Sequence, residues 1–417
     1  MRCPAARCRA TAARSASFPA TLPFRIKRTL LVLALVFIET RGGPNVSDFL
    51  AFYFGVACES LWHQAYPLNV TGRIIIHAGF AKCGSASIRT ALFQNFRKLQ
   101  KDNAFVFDKD LRIARTAADL VGTPIWSLEQ ARKNSEKLTR RVSAEIVPLL
   151  KRKGDHLAIL SAENLANPGM AALFAGLDSQ CDVSLIFYIR PQLQWIPSAW
   201  KQWGLKTGAS LSDFVAHCID IRTPAFRRDI ESWKSTLPTA NIHVRFLVPE
   251  LLKGGNPAQD FFNLLGLSDK EHEFESEARN PSLDVSVLHV LSKNPHLFSD
   301  VHDNRLMLAL TRALPKEFRS TNIEMLSPEQ EAKIEECFRD ENRWLLNTYC
   351  SDADVDRIYR THFMPREADA RYSDMTESGL IYRCLGIILE SIAFSGGQTE
   401  RGKNKNQGRD FVPVEEE

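Results

Sequence analysis

The chain has 417 residues, enough for two average domains, although α/β enzymes often run to this length as one. With 44% hydrophobic and 24% charged residues, its composition is that of an ordinary globular protein. The net charge of +4 is concentrated at one end: residues 1–46 hold eight Arg and Lys against Glu39 alone, which leaves the rest at −3. That balance argues against a broad nucleic-acid footprint, so no nucleic-acid partner is expected and any anion site must be a local pocket.

Residues 1–46 are expected to form a poorly ordered basic leader. Arg25-Ile26-Lys27-Arg28 precedes nine consecutive apolar residues, Leu30–Ile38, before Glu39 and Arg41. A bilayer span needs about 20 residues, so no integral membrane span is expected and a Golgi-style anchor fits least. The run also suits a targeting peptide, but no small-x-small cleavage site follows closely, and a mis-assigned start stays open. Phe49–Cys58 is a second apolar patch, and the sequons at Asn45 and Asn69 would matter only in a secretory pathway. A cytoplasmic location is expected, with peripheral contact at the inner face of the membrane left open. Nine scattered cysteines, with no CxxC and no paired Cys/His spacing, point to reduced thiols and to no structural zinc or other metal.

The most informative stretch is residues 74–90. The apolar run Ile74–Ile76 and His77 lead to Gly79 and Gly84, with Lys82 between them and the helix-like run Ile88–Leu99 behind. A strand, a glycine-containing loop and a helix N-terminus in this order hold phosphate well. Glycines let backbone N–H groups approach, and the helix dipole favours negative charge. The kinase-type loop GxxxxGK[ST] would put lysine directly after Gly84, where Ser85 stands.

Further strands are expected over His156–Glu163, over Ser184–Ile189 and over Asn241–Glu250. The second is a near-continuous apolar run, the mark of a strand buried on both faces. It ends in Arg190, and Ser198 follows eight residues later on an expected helix, Leu193–Trp203. Asp260–Leu267 reads as a short helix, Pro328–Cys350 as a long one, and Ser373–Phe394 has helical periodicity. Residues 395–417 hold too few apolar side chains to bury and are expected to be disordered. Strands alternating with helices imply an α/β fold: a P-loop-like parallel sheet with helices on both faces, and a helical C-terminal section over about residues 283–394. The main domain is placed at 72–350, with 351–394 as its helical extension.

Lys82-Cys83-Gly84-Ser85-Ala86-Ser87 resembles the 5′-phosphosulfate loop of sulfotransferases that use 3′-phosphoadenosine 5′-phosphosulfate (PAPS), although Ala86 stands where a hydroxyl residue is common. Arg190 and Ser198 match that family's 3′-phosphate motif, and YIRPQLQWIPSAWKQW is similar to its bacterial version. Ser161-Ala162-Glu163-Asn164, Asp260–Leu267, Asn280-Pro281-Ser282-Leu283 and Pro328–Cys350 resemble further segments of the bacterial proteins, so the likeness spans roughly residues 72–350.

The resemblance implies transfer of a sulfuryl group from PAPS to a hydroxyl, or less readily an amine, of an acceptor. A carbohydrate or glycolipid is expected, with 3′,5′-ADP as product and no metal. Lys82 would place positive charge at the departing phosphate. The segment Lys82, Cys83, Gly84, Ser85, Ala86 and Ser87 would hold the 5′-phosphate, and Arg190 and Ser198 the 3′-phosphate. The general base is either Glu163 or His77. Glu163 could equally cap a helix or orient Lys82, and His77 could equally be a structural histidine. Trp195, Trp200 and Trp203 invite a sugar-stacking reading, with core packing as the alternative. Lys201 and Lys206 either meet an acidic acceptor or solvate their helix. A P-loop-type kinase using ATP and magnesium, and a catalytically degenerate nucleotide-binding protein, remain as alternatives.

Overall fold

In the computed structural model, the described residues are 72–108, 112–120, 144, 146–151, 156–267, 272–274, 283–314, 323–350 and 354–401, with side chains to Ile392. Contacts divide the chain at Asn69/Val70, and every described residue belongs to the second unit. The basic leader, both N-terminal apolar segments, the two sequons, Asn280–Ser282 and residues 402–417 lie outside the described residues.

The chain enters through β1 (Arg73–Gly79), α1 (Ser85–Gln94), α2 (Phe96–Lys101) and the short β2 (Ala104–Val106). β3 (Leu157–Glu163) and β4 (Asp182–Ile189) follow, then α3 (Gln192–Gln202), α4 (Leu211–Asp220), α5 (Phe226–Thr236) and β5 (Asn241–Phe246). The remainder is helical: α6 (Pro257–Leu264), α7 (Val285–Ser292), α8 (Arg305–Ala313), α9 (Pro328–Tyr349), α10 (Val355–His362) and α11 (Glu377–Arg401). The protein is thus α/β, with a helical C-terminal section. The last helix continues past Phe394 to Arg401, beyond the point where the sequence is expected to lose structure.

All pairings in the five-stranded sheet are parallel, in the order β2-β3-β1-β4-β5. Neighbouring residues on a strand point to opposite faces, yet Ile74, Ile75 and Ile76 are all buried, as are all of Val183–Ile189. Both faces of the sheet are therefore covered, which is why these strands read as continuous apolar runs. The chain leaves β1 toward β2 on one side and leaves β4 toward β5 on the other. Those connections diverge between β1 and β4, and in open α/β sheets such a switch point opens a crevice at the C-terminal strand ends.

One buried ion cluster ties the flank of this edge together. Asp260 on α6 is 1% exposed. It accepts from Arg245 Nε at 2.8 Å and Nη2 at 2.5 Å, from the Tyr188 hydroxyl at 2.8 Å and from the Lys253 N–H at 3.0 Å. Burial and the Asp260 carboxylate push the Tyr188 phenol upward, so it stays a donor. α6 is started by Asn256, whose side chain accepts from the Ala258 and Gln259 N–H groups, followed by Pro257 at its first position.

Candidate functional site at the strand edge

The loop after β1 is built around two left-handed residues. Gly79 ends the strand where a Cβ would fall 2.6 Å from Ser85 Oγ and 2.9 Å from the Ala162 carbonyl, so only glycine fits unshifted. Lys82 (φ 62°) and Gly84 (φ 88°) then reverse the chain into α1. Trp195 Nε1 donates to the Ala81 carbonyl at 2.8 Å and the Cys83 N–H to the Phe80 carbonyl at 3.3 Å, holding the loop from α3 and from within. Gly84 supplies no side-chain cap, so the N–H groups of the first turn of α1 form its positive end.

Of the residues expected in the phosphate loop, Cys83 is fully buried, and burial pushes its thiol up to about 12, so it fills space as a neutral thiol. Ser85 is buried and donates to the Phe80 carbonyl at 3.5 Å. Ser87 and Ala86 are exposed, and the Ser87 N–H donates back to the Gly84 carbonyl at 3.0 Å. The open donors of the expected cradle therefore narrow to the N–H groups of Gly84, Ser85 and Ala86, with the Ser87 hydroxyl at the rim.

Arg190 follows β4 directly, and its Nη1 stands 3.5 Å from the Lys82 carbonyl, so the two expected phosphate motifs meet across the β1/β4 crevice. Arg190 Nε is buried without a hydrogen-bond partner among the described residues. Ser198 is half-buried on α3, on the same helical face as Lys201 and Gln202. Gln202, which sequence reasoning passed over, accepts from Lys82 Nζ at 3.4 Å and donates through Nε2 to Asn304 Oδ1 at 3.1 Å. The signal for it is its spacing, four residues after Ser198 on one helix.

The charges around this crevice are mostly positive. Burial lowers the Lys82 ammonium, the Glu163 carboxylate opposes that fall and the Arg190 charge adds to it. Burial also lowers the Arg190 guanidinium. Lys201 is pushed down to about 8, by burial first and then by Arg190, with Lys82 adding a smaller push and Glu324 opposing. Its charge is thus within reach of those of Arg190 and Lys82. Lys206 is instead buried and structural, donating to the Val301 carbonyl at 3.0 Å and to Asn304 Oδ1 at 2.7 Å.

Glu163 pairs in register with Gly79, which delivers its carboxylate beside the loop. Burial raises its pKa, while Lys82, Arg89 on α1 and a hydrogen bond from the Lys82 backbone N–H pull it down. Glu163 is thus positioned both to orient Lys82 and to accept a proton. Arg89 is a second residue that sequence reasoning missed, and only the folding of α1 against β3 brings it near Glu163.

His77 is not at the loop. It pairs with Ser161 and Ile186 inside the sheet, fully buried, with Nδ1 2.8 Å from Ser161 Oγ and its ring 5.6 Å from those of Tyr188 and Phe261. Burial pushes its pKa from 6.5 down to about 3. The folded protein therefore holds His77 neutral while the unfolded chain takes up a proton below about pH 6.5, so stability is complete above that pH and is lost as pH falls toward 3. Unfolding free energy from urea titration is expected to fall by roughly 1.4 kcal/mol per pH unit below 6.5 from this group. His77→Gln should flatten that slope, measured between pH 7.5 and 5. An unchanged slope in the variant would remove His77 as its source.

Trp200 is buried and donates to the Ala209 carbonyl at 2.9 Å, and Trp195 is committed to the loop, so both pack the core; Trp203 is half-buried beside Trp195. Among the described residues no group of three His, Cys, Asp or Glu side chains converges as metal ligands would, and no helix is long and apolar enough to cross a membrane.

No family model matches this chain. No solved structure matches it either. A protein of Archaeoglobus fulgidus that bears the name "Uncharacterized protein" is 27% identical over 199 residues, 45% of this chain and 54% of that one. The chain thus spans about half the length of that relative, whose name says nothing of an activity.

Proposed function

We propose that the protein is a PAPS-dependent sulfotransferase acting on a hydroxyl-bearing acceptor. The observation that carries this reading is the meeting of the Lys82 loop with Arg190 at the β1/β4 switch point. Arg190 Nη1 lies 3.5 Å from the Lys82 carbonyl and its Nε is buried without a partner among the described residues. No carboxylate among the described residues pairs with that guanidinium, so a bound phosphate would supply the acceptor it lacks.

In this reading the N–H groups of Gly84–Ala86 hold the 5′-phosphate at the helix terminus, and Arg190 with Ser198 holds the 3′-phosphate. The acceptor oxygen attacks sulfur in line and the bond from sulfur to the bridging oxygen breaks. Its electron pair stays on the phosphate, where Lys82 stabilises the growing charge, and the acceptor proton passes to Glu163. The raised pKa of Glu163 suits that proton, and its contact with the Lys82 N–H keeps base and cation at one edge. Lys201 adds a third positive charge on the same side. The carbohydrate character of the acceptor rests on the resemblance alone, because Trp195 and Trp200 are occupied in packing.

Thermal stability of the full chain with 3′,5′-ADP, compared with ADP and with ATP–magnesium, tests the reading. A ligand at ~100 times its Kd stabilises by roughly 2.7 kcal/mol, enough for a shift of several degrees. A shift with 3′,5′-ADP that Arg190→Ala abolishes is expected. Preference for ATP–magnesium would turn the assignment to a kinase, and no response to any of the three would remove the nucleotide site.

A further inference from the structure

The last helix carries two apolar faces. On one, Leu380, Cys384 and Ile387 are buried where α11 packs against α7, and Arg383 locks the two together through Asp284 at 2.7 Å. On the other, Ile381, Tyr382, Leu385, Ile388, Leu389 and Ile392 are between 43% and 74% exposed. At 100° per residue these six fall within an arc of about 120°, a stripe roughly 16 Å long.

Three features specify what covers this stripe. Ile381, Leu385, Ile388 and Ile392 step by four, three and four residues, the heptad spacing by which one helix packs along another. Tyr382 and Leu389 widen the seam on one side. The six side chains expose on the order of 600 Å², beyond what scattered surface apolar residues present and near the ~800 Å² per partner of a standard interface. The only charged residues between Ile381 and Ile392 are Arg383 and Glu390, on the far side of the helix, and Arg383 is already paired. A helix lying on an anionic membrane carries Lys and Arg along its rims, and this one does not. A neutral, heptad-spaced stripe also has no repulsion against itself, so it can serve as both halves of a two-fold interface.

We propose that two copies of this chain pair through the outer face of α11. The inference does not depend on the reaction assigned to the strand edge.

Light scattering or sedimentation equilibrium of the full chain at tens of micromolar tests it. A mass about twice 47.1 kDa is expected, falling to the single-chain value on dilution. Leu385→Glu with Leu389→Glu should raise the dimer Kd on the order of 100-fold or more, because each carboxylate would be buried without a partner. The nucleotide response and the circular dichroism should be unchanged, since neither position touches the core. If that variant folds poorly, Tyr382→Ser with Leu389→Ser weakens the seam without adding charge and should show the same loss of pairing. A single-chain mass for the wild type would overturn the proposal, as would a dimer that persists in a folded variant. Pelleting of a single-chain wild type with phosphatidylserine vesicles would also overturn it and assign the stripe to a membrane surface.

Discussion

Lys82→Met protein is expected to bind 3′,5′-ADP within a few-fold of the wild type while transferring sulfuryl groups on the order of 100-fold or more slowly, a loss of about 3 kcal/mol of transition-state stabilisation. The split follows from where Lys82 sits. In the proposed reading, the N–H groups after Gly84 and the Arg190 fork would supply the donors for the product nucleotide in either protein. Lys82 Nζ rests against Gln202 Oε1 at 3.4 Å, and in the proposed reaction its charge would act on the bridging oxygen rather than on the product nucleotide. Burial already disfavours its ammonium, so the positive charge there is held by Glu163 and would be reinforced by a departing phosphate. Methionine keeps the volume and removes the charge. Single-turnover rates beside equilibrium binding separate the two effects. A variant with unchanged turnover would exclude Lys82 from the chemistry, and one that had lost the nucleotide as well would make it a binding residue.

The largest stability effect is expected from Asp260→Ala. The substitution strips the partner from Arg245 Nε, from the Tyr188 hydroxyl and from the Lys253 N–H at once, and leaves Arg245 Nη2 only the Leu251 carbonyl at 2.8 Å. Breaking a buried ion pair by deleting one member typically costs about 3–5 kcal/mol, and the low end is expected here because the remaining Arg245 side chain is 30% exposed. Thermal unfolding should therefore fall by on the order of 10 °C. The comparison is Lys333→Ala, which removes an exposed helical pair with Glu329 and should leave the unfolding temperature unchanged within error. An Asp260→Ala protein as stable as the wild type would show that α6 does not depend on this cluster. Nucleotide binding should weaken in the same variant, since Pro257 at the start of α6 lies where it would crowd any side chain added at Gly84.

The central strands were legible because a parallel sheet covered on both faces demands continuous apolar runs, and β1, β3 and β4 supply them. β2, only Ala104–Val106, is too short to leave a pattern and is found only by its pairing with β3. The helix expected over Ile88–Leu99 begins earlier, at Ser85, and breaks at Asn95, whose side chain bonds the Ala91 and Glu273 carbonyls instead of facing solvent. That second contact is long-range and has no local signature. Of the candidate site, the places of Lys82 and Gly84 after β1, of Glu163 at the end of β3 and of Arg190 after β4 were legible from the strand ends, and that of Ser198 on a helix from its spacing. The position of His77 was not. Two residues decide whether it stands in a loop or inside the sheet, and the register of β1 against β3 and β4 puts it inside.

By itself, then, the sequence determined the four longer strands and that a lysine-bearing glycine loop and an arginine each follow one of them, because backbone geometry and burial on both faces constrain residue types locally. Only the tertiary structure decided that those two ends are neighbours at the switch point. It alone brought Gln202, Lys201 and Arg89 beside them, buried His77 and Cys83, and left one face of α11 bare. Each of these depends on strand order and helix packing, which join residues far apart in the chain and leave no periodicity within any one segment.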